Sequence, residues 1–386
     1  MRYDQMSEVL ETLRDKHNLR VLPTFQHQGK YACEEGRSML NLSSNDYLGL
    51  STQNYLREEF MQHLRPEDMQ WSASSSRLLT GNFEAHRNLE AQLARLFHKE
   101  AALVFNSGFH ANSGIVAALA DKGTLILADK LVHASLIDGI RLSGSTCIRY
   151  RHNQYEQLEN LLEQRCHQYE SVLIITESVF SMDGDKADLR RLCQLKKRYP
   201  HVMLYVDEAH AFGVFGPTGL GCAEEQHCLE DIDILVGTFG KAIASEGAFV
   251  VCNQVVKDYL INTMRPFIFT TALPPINIEW TSFIVSRLES FGAYRSHLAS
   301  ISLKLKTALS EMGYDTSSES AILPFTVGDS GKCILLAKEL QRKGFYALPV
   351  RPPTVPEGTS RIRFSLSAAV TDEEIQSLIH TLNEIL

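Results

Sequence analysis

The stretch Asp233-Ile234-Leu235-Val236-Gly237-Thr238-Phe239-Gly240-Lys241 decides the fold, because an apolar run is followed closely by a single lysine. The stretch Tyr205-Val206-Asp207-Glu208-Ala209-His210 has the same design, with a carboxylate after the run. In an open α/β sheet, ligands bind at the carboxyl ends of the strands. The two stretches therefore predict that Lys241 and Asp207 face a common ligand site.

The chemistry of these two side chains indicates one kind of cofactor. A lysine at a strand end can bind a carbonyl compound covalently, and a carboxylate can hold a pyridinium nitrogen in its protonated form. Pyridoxal phosphate (PLP) needs both groups from its protein. We therefore expect PLP as the cofactor, with Lys241 and Asp207 in these roles.

The segments around the two stretches repeat a pattern of short apolar runs separated by longer, helix-like stretches. The runs are nearly continuous in apolar residues and rich in β-branched ones, which is typical of strands buried on both faces. Alternation with helices predicts an α/β fold with a mostly parallel sheet and helices on both faces. The predicted strands are Ala101–Asn106, Thr124–Ala128, Ser171–Thr176, Met203–Val206, Ile232–Val236 and Ala248–Cys252.

Pro274-Pro275 marks a change of pattern, after which two helical stretches precede three strand-like runs and a last helix. The strand-like runs are Ala321–Val327, Tyr346–Val350 and Arg361–Leu366. This predicts a smaller α+β domain at the C-terminal end. We expect three parts: residues 1–45 as an N-terminal helix and arm, 46–275 as the large cofactor-binding domain, and 276–386 as the small domain.

Composition excludes several classes of protein. The 386 residues carry a formal charge of -8, which argues against nucleic acid as a partner. The N-terminus has no apolar signal region, and no apolar run is long enough to span a membrane, so we expect a cytoplasmic protein. The eight cysteines are scattered, and no His or Cys pair has ligand spacing, so no metal site is expected.

Other predicted strand ends supply candidate ligand-binding residues, and each of them also has a purely structural interpretation. Ser107-Gly108-Phe109-His110 opens a helix-like stretch and could bind an anion at a helix N-terminus, or form an ordinary tight turn. Thr238 could add a hydroxyl to the same anion. His133 and His210 follow predicted strands, where an imidazole can contact a flat ring or serve a structural role.

Two further motifs each allow more than one interpretation. Gly213, Gly216, Gly219 and Gly221 resemble a dinucleotide loop, but no helix is predicted to begin there, which disfavours a nicotinamide site. In the small domain, Arg361 and Arg363 alternate with apolar residues and share one face, which could be solvent or a cleft.

Taken together, these motifs resemble the α-oxoamine synthases, PLP enzymes of fold type I, which is the aspartate aminotransferase fold. The resemblance runs from about residue 40 to the end of the chain. Its segments are Asn41–Leu50, Ser76–Asn82, Ser107–Phe109, Asp129–Ser135, Thr176–Asp185, Val206–His210, Thr238–Lys241, Thr270–Pro275 and Arg351–Arg363.

The resemblance implies how the cofactor is held. Lys241 would bind PLP and act as the base at the substrate Cα, Asp207 would contact the ring nitrogen, and His133 would stack on the ring. These three are the predicted catalytic residues. The resemblance adds further cofactor contacts, with Thr271 reaching the phosphate in the other subunit of a homodimer: Gly108, Phe109, Ser181, His210, Thr238 and Thr271.

The family joins an amino acid to an acyl thioester with loss of carbon dioxide, so we expect small-molecule substrates. Arg363 is the candidate for the amino-acid carboxylate, Arg351 a mobile helper, and Arg20 and Asn45 further substrate contacts. The segment Arg351–Arg363 most resembles members that use L-alanine and a pimeloyl thioester. Members that use serine and a palmitoyl thioester share part of it, and a non-catalytic partner subunit is a third alternative.

One segment departs from the family pattern. Members usually carry several glycines before Ser76-Arg77, whereas this chain has Trp71-Ser72-Ala73-Ser74-Ser75. Side chains in place of glycines predict a stiffer and bulkier loop. In relatives this loop lies near the entrance for the acyl chain, so the departure bears on substrate identity.

Overall fold

The computed structural model describes residues 2–64 and 69–385. Its strands, in chain order, are β1 Gln26–Gln28, β2 Tyr31–Glu34, β3 Arg37–Asn41, β4 Ala101–Phe105, β5 Thr124–Asp129, β6 Thr146–Tyr150, β7 Ser171–Glu177, β8 Val202–Asp207, β9 Ile234–Thr238, β10 Ala248–Cys252, β11 Ile322–Gly328, β12 Phe345–Tyr346, β13 Pro349–Val350 and β14 Ser360–Ser365.

The helices, in chain order, are α1 Tyr3–Asp15, α2 Asn54–His63, α3 Glu84–Leu96, α4 Gly108–Leu119, α5 Ala134–Ser143, α6 Tyr155–Arg165, α7 Leu189–Lys197, α8 Cys222–Glu225, α9 Gln254–Thr263, α10 Arg265–Ile268, α11 Pro275–Val285, α12 Gly292–Glu311, α13 Ser330–Arg342 and α14 Asp372–Ile385. Within the described ranges, no helix is both long enough and apolar enough to cross a bilayer.

The chain divides into two compact units. One contains Met1–Thr52, Met182–Asp185 and Ser296–Leu386, and the other contains Gln53–Ser181 and Lys186–Arg295. These limits differ from the predicted boundaries at 45 and 275. The second boundary differs because α11 packs against α3, which ties the residues just after Pro274 to the larger unit.

The larger unit is built on a seven-stranded sheet of order β4-β10-β9-β8-β7-β5-β6. Strand β10 runs antiparallel to both of its neighbours, and the pairs among β5 to β9 are parallel. The predicted α/β fold with a mostly parallel sheet is therefore confirmed. The carboxyl ends of β5, β7, β8 and β9 lie at one edge, where parallel strands direct their ends together.

Strand β6 was missing from the sequence prediction. Its residues, Thr-Cys-Ile-Arg-Tyr, are not continuously apolar. The strand lies at the end of the sheet and pairs with β5 alone, so several of its side chains stay partly exposed. An edge strand of this kind lacks the apolar run by which the buried strands were recognised.

The smaller unit holds two sheets, β1-β2-β3-β12 and β11-β14-β13. The region after the first helix, predicted to be an extended arm, forms the hairpin-connected strands β1 to β3. The single strand predicted at Tyr346–Val350 is wrong. It divides into β12, which pairs with β3, and β13, which pairs with β14. The division falls at Leu348, whose N–H bonds Ser43 Oγ at 3.0 Å instead of a strand.

Helices α4 and α5, which follow β4 and β5, pack closely against each other. Gly139 in α5 makes this possible, because a Cβ there would lie 2.9 Å from the Asn112 carbonyl oxygen and 3.0 Å from that of Ser113. A side chain at position 139 would force the helices apart. This helix contact fixes the position of Asn112 relative to the carboxyl ends of the strands.

Candidate active site

Asp207 ends strand β8, as the sequence predicted, and its side chain is buried. Nδ2 of Asn112 donates a hydrogen bond to Asp207 Oδ2 at 2.6 Å, and the Ala209 N–H donates to Oδ1 at 2.8 Å. Two donors on the charged form stabilise a carboxylate as an anion. The structure therefore places a buried carboxyl group with two hydrogen-bond donors at this strand end.

Asn112 is held in one orientation by its other contacts. The Tyr205 hydroxyl donates to Asn112 Oδ1 at 2.7 Å, and Nδ2 also donates to Ser135 Oγ at 3.0 Å. Burial, with the charge of Asp207 adding to it, raises the pKa of Tyr205 well above its ordinary value, so its hydroxyl keeps its proton. The amide cannot rotate without losing these bonds.

His133 is joined to the same network. It precedes α5, and its Nδ1 accepts hydrogen bonds from the Ser135 N–H at 3.2 Å and the Ser135 hydroxyl at 2.7 Å. Burial lowers the pKa of His133, and the charge of Asp207 opposes this only in part. A neutral ring that accepts at Nδ1 carries its proton on Nε2, which leaves Nε2–H as a donor.

Lys241 lies in the turn after β9, and its Nζ is 2.8 Å from Nε2 of His210. Thr238 shapes this turn, because its hydroxyl donates to the Gly247 carbonyl at 3.0 Å and accepts from the Gly240 N–H at 3.3 Å. His210, three residues after Asp207, is buried. The lysine and the imidazole are thus brought together from β9 and β8.

The turn from β4 into α4 completes this edge of the sheet. Ser107 Oγ accepts from the His110 N–H at 3.2 Å and caps the helix. Gly108 lies beside Thr238, since a Cβ at Gly108 would be 3.8 Å from Thr238 Oγ1. Phe109 is 50% exposed, so its ring can cover a ligand without first leaving the core. Free N–H groups of a helix start suit a phosphate.

Two further predicted cofactor contacts are Ser181 and Thr271. Ser181 follows β7 in a turn and is partly buried. Thr271 is exposed, and its carbonyl oxygen accepts from Asn106 Nδ2 at 2.7 Å. The roles given to Ser181 and Thr271 stay predictions.

The candidate arginines lie in the smaller unit, on β14, and have different partners. Both Nη atoms of Arg363 lie 3.4 Å from Asn45 Oδ1, and Nη2 lies 3.4 Å from the Tyr47 hydroxyl. Arg361 is buried and forms an ion pair with Asp183 at 2.5 Å. The contacts of Arg363 to Asn45 and Tyr47 are long and involve neutral groups, whereas Arg361 is paired with a carboxylate.

Arg20 and Arg351 form a second pair of cations in this unit. Nη2 of Arg20 donates to Thr354 Oγ1 at 2.7 Å, and Arg351 donates to the His17 carbonyl. Partial burial lowers the pKa of Arg351, and the nearby charge of Arg20 lowers it further. Two guanidinium groups that disfavour each other are stabilised by an anion between them.

The loop that departs from the family pattern is held by its own hydrogen bonds. Ser74 has a φ of 50°, a left-handed conformation that glycine adopts more easily. Its N–H bonds Ser72 Oγ at 3.0 Å, and the Ser75 carbonyl accepts from the Ala272 N–H at 3.0 Å. Gly81 is required here, because a Cβ would lie 2.3 Å from the Ser75 carbonyl oxygen.

The glycine-rich loop at residues 213–221 does lead into a helix, contrary to the sequence prediction, although α8 has a single turn. The start of this helix is already occupied. Glu208 accepts from the N–H groups of Cys222 at 3.1 Å and Ala223 at 2.7 Å. Because Glu208 already accepts from these N–H groups, they are not available to a dinucleotide phosphate.

Sequence reasoning missed three members of the network: Asn112, Ser135 and Tyr205. Tyr205 had a usable signal, since residues two apart on a strand share a face and Tyr205 therefore lies on the face of Asp207. Asn112 and Ser135 gave none, because their roles depend on the packing of α4 against α5.

The donors gathered at this edge fit the chemistry of PLP. Asp207 offers an anion for a ring nitrogen, Lys241 an amine for a carbonyl carbon, and the start of α4 N–H groups for a phosphate. The neutral imidazole of His133 suits the face of a flat, charged ring. Each of these groups comes from a different strand end of one sheet.

Comparison with known proteins agrees with this geometry. The model of the family Aminotransferase class I and II matches residues 37–382. A protein of Glaesserella parasuis serovar 5 named "Putative 8-amino-7-oxononanoate synthase" is 52% identical over 380 residues, which are 98% of this chain and 100% of that protein. A protein of the same name from Neisseria meningitidis serogroup C is 53% identical over 367 residues, 95% of this chain and 97% of that one.

Solved structures of related enzymes share the fold. Serine palmitoyltransferase of Sphingomonas wittichii has a TM-score of 0.89 and 30% identity, covering 99% of this chain and 96% of that one. The enzyme of that name from S. paucimobilis, solved with a bound PLP–myriocin aldimine, has a TM-score of 0.90 and 29% identity, covering 99% and 96%. The 8-amino-7-oxononanoate synthase of Francisella tularensis has a TM-score of 0.76 and 28% identity, covering 90% and 97%.

Proposed function

Because this chain belongs to the aminotransferase class I and II family, and within it to the α-oxoamine synthases, we propose that it is a PLP-dependent acyltransferase. The reaction joins L-alanine to pimeloyl-CoA or a pimeloyl carrier protein and yields 8-amino-7-oxononanoate, carbon dioxide and the free thiol. This would be a step of biotin biosynthesis.

One observation carries the proposal: Asp207, held as an anion by two N–H donors, and Lys241 both lie at carboxyl ends of strands in the same parallel sheet. Identity of 52% over the full length of a relative supports the choice of reaction. A non-catalytic partner subunit would have no need of this arrangement.

PLP, when bound, supplies an electron sink for negative charge at the amino-acid Cα. Asp207 would hold the ring nitrogen in its cationic form, and the N–H groups of Gly108 and Phe109 would hold the phosphate. His210 and Ser181 would contact the ring oxygen, with Thr238 fixing the turn that presents Lys241. Thr271 of the second subunit would complete the phosphate site.

The protein's own groups would then control protons and orientation. Lys241 Nζ would remove the Cα proton and later return one, since an amine in a partly desolvated site is a capable base. His133 would lie on the ring and donate its Nε2–H to a substrate oxygen. Arg363 would bind the amino-acid carboxylate, and the cations Arg20 and Arg351 would attract an anionic group of the acyl substrate, with Asn45 orienting Arg363.

A second candidate is a serine palmitoyltransferase activity. It is favoured by the structural comparison, in which the serine palmitoyltransferases reach TM-scores of 0.89 to 0.90 and the 8-amino-7-oxononanoate synthase 0.76. The side chains of the Trp71–Ser75 loop, in place of the family's glycines, are also compatible with a different acyl chain.

Release of free thiol from a matrix of substrates tests both candidates. L-Alanine, L-serine and glycine are each combined with pimeloyl-CoA and with palmitoyl-CoA, and the products are identified by mass. We expect turnover with L-alanine and pimeloyl-CoA, and a product of the mass of 8-amino-7-oxononanoate. Preference for serine with palmitoyl-CoA would select the second candidate, and no turnover with any pair would refute both.

We also propose that the enzyme is a cytoplasmic homodimer with shared active sites. The exposed position of Thr271 is compatible with a contact to a second copy. Light scattering after size-exclusion chromatography measures the mass, for which twice 43.4 kDa is expected. A Thr271→Ala chain mixed with a Lys241→Ala chain should regain part of the activity only if the subunits share their sites.

A further inference from the structure

Glu177 ends strand β7 directly beside Asp207. The two residues are partners in the parallel register of β7 and β8. Their side chains therefore lie next to each other at the carboxyl ends of the two strands. Glu177 is 2% exposed and Asp207 is 4% exposed. Two carboxyl groups are thus buried side by side, and the roles assigned so far use only Asp207.

The hydrogen bonds of the pair are unequal. Asp207 accepts two bonds, from Asn112 Nδ2 and from the Ala209 N–H. For Glu177, the backbone of His133 favours the charged form and so lowers the pKa, in opposition to burial. Oε1 of Glu177 has no hydrogen-bond partner among residues 2–64 and 69–385.

The charged groups around Glu177 come from three other strand ends. Asp207 follows on β8 and Asp129 ends β5, and both disfavour a second negative charge. Lys241, after β9, favours it. Burial is the largest influence and raises the pKa of Glu177 well above its ordinary value, and the Asp207 charge adds to this. Of two such neighbouring carboxyl groups, one keeps its proton.

We propose that Glu177 is the proton-bearing member of this pair and thereby a positioning residue, which leaves Asp207 as the single anion that faces a bound ligand. The proton resides on Oε1, where the acid offers an O–H donor. The proposal rests on the proposed function only in that Asp207 meets a cationic ring there. Glu177 itself acts through Asp207 and takes no part in bond making.

Infrared spectroscopy of the protein without cofactor tests the proton directly. A protonated carboxylic acid has a carbonyl stretch that a carboxylate lacks, and the band shifts in deuterium oxide. We expect the wild-type spectrum minus that of Glu177→Gln to contain this band at neutral pH. Its absence would overturn the proposal, whatever reaction the enzyme proves to catalyse.

Two variants then separate a neutral acid from an anion. Glu177→Gln copies the protonated acid, so cofactor affinity and turnover should stay close to those of wild type. The Met side chain in Glu177→Met has a similar size but forms no hydrogen bonds. We expect this variant to lose about tenfold in cofactor affinity and in turnover. Glu170→Gln, at an exposed position just before the same strand, is the matched control. Equal losses in the Gln and Met variants would mean that the charge of Glu177 matters.

The pH profile supplies a further readout. If Glu177 loses its proton at high pH, wild-type cofactor affinity should fall there, and Glu177→Gln should remove that decline. Should the Gln variant fail to fold, wild-type protein labelled with ¹³C in glutamate carboxyl groups serves instead. Burial raises the pKa of Glu208 to about 7, so its band should weaken as the pH rises above that value. A glutamic acid band that persists supports the proposal, and its loss overturns it.

Discussion

Nδ2 of Asn112 lies 2.6 Å from Oδ2 of Asp207, and this hydrogen bond joins helix α4 to the end of strand β8. Through Ser135 the same amide reaches Nδ1 of His133. The groups predicted to contact one face of the cofactor ring and its nitrogen, His133 and Asp207, are therefore parts of one hydrogen-bonded network. A substitution of any member should therefore alter the hydrogen bonds of the others.

Tyr205→Phe tests this network. The substitution removes the hydroxyl that donates to Asn112 Oδ1 and leaves a buried acceptor without a partner. An unsatisfied buried group costs about 1–3 kcal/mol, so the free energy of unfolding should fall by that amount. Urea unfolding of the protein without cofactor measures it. Tyr259→Phe, at an exposed position, should change stability by less than about 0.5 kcal/mol.

Turnover gives a second readout for Tyr205→Phe. A freed amide can rotate and present its oxygen to Asp207, which weakens the anion's support. If stability and turnover both match those of wild type, the network does not hold Asn112 in place.

Lys241→Ala should abolish turnover while the fold remains. The lysine is proposed to bind the cofactor and to serve as the base, and general base catalysis alone contributes about 10²–10⁴-fold. We expect a loss of at least about a hundredfold in thiol release, with an unchanged circular dichroism spectrum. Lys122→Ala, at an exposed position before β5, is the control. Activity of Lys241→Ala within about tenfold of wild type would refute the assignment.

The sequence was sufficient for the buried strands of the large sheet and for the main strand-end residues. Buried strands such as β7 and β8 are continuous apolar runs because both faces are covered, so their positions can be found without the structure. The residue that follows each run then lies at a known edge. That reasoning located Asp207 and Lys241 before their neighbours were known.

Contacts between segments that are distant in the chain could not be predicted from apolar runs. Arg361 and Arg363 look alike in sequence, two residues apart on one strand. They differ because Asp183, nearly 180 positions earlier, lies beside Arg361 and forms an ion pair with it. Likewise, the division of Phe345–Val350 between two sheets depends on which strand edges are free. Pairings of this kind have no local signal.

His133 should titrate below the ordinary histidine value of 6.5, because burial disfavours its charged form. The folded state then binds this proton less readily than the unfolded chain does. Its contribution to stability is fully present above pH 6.5 and is lost as the pH falls below that value. Nuclear magnetic resonance of the ring gives the midpoint, with His133→Gln used to assign the signal. A midpoint at or above 6.5 would contradict the buried, Nδ1-accepting ring.

Arg363→Ala should weaken binding of the amino acid far more than binding of the acyl thioester. The guanidinium contacts the neutral groups of Asn45 and Tyr47 at 3.4 Å, and we expect a substrate carboxylate to bind it more strongly than they do. Hydrogen bonds to charged groups contribute about 1.5–3 kcal/mol, which corresponds to about a ten- to hundredfold rise in KM for the amino acid. Arg363→Lys should restore little of the amino-acid binding, because the point charge of an ammonium group cannot form the two parallel hydrogen bonds of a planar guanidinium.

Arg361→Ala is the matched control, with the opposite expectation. Its guanidinium is buried against Asp183, so its loss should lower the free energy of unfolding by about 1.5–3 kcal/mol and leave KM for the amino acid unchanged. Steady-state kinetics for both substrates and urea unfolding of both variants provide the comparison. If Arg361→Ala raises KM and Arg363→Ala does not, the carboxylate site has been assigned to the wrong arginine. If neither does, the carboxylate is bound elsewhere, and Arg351 beside Arg20 becomes the candidate to test.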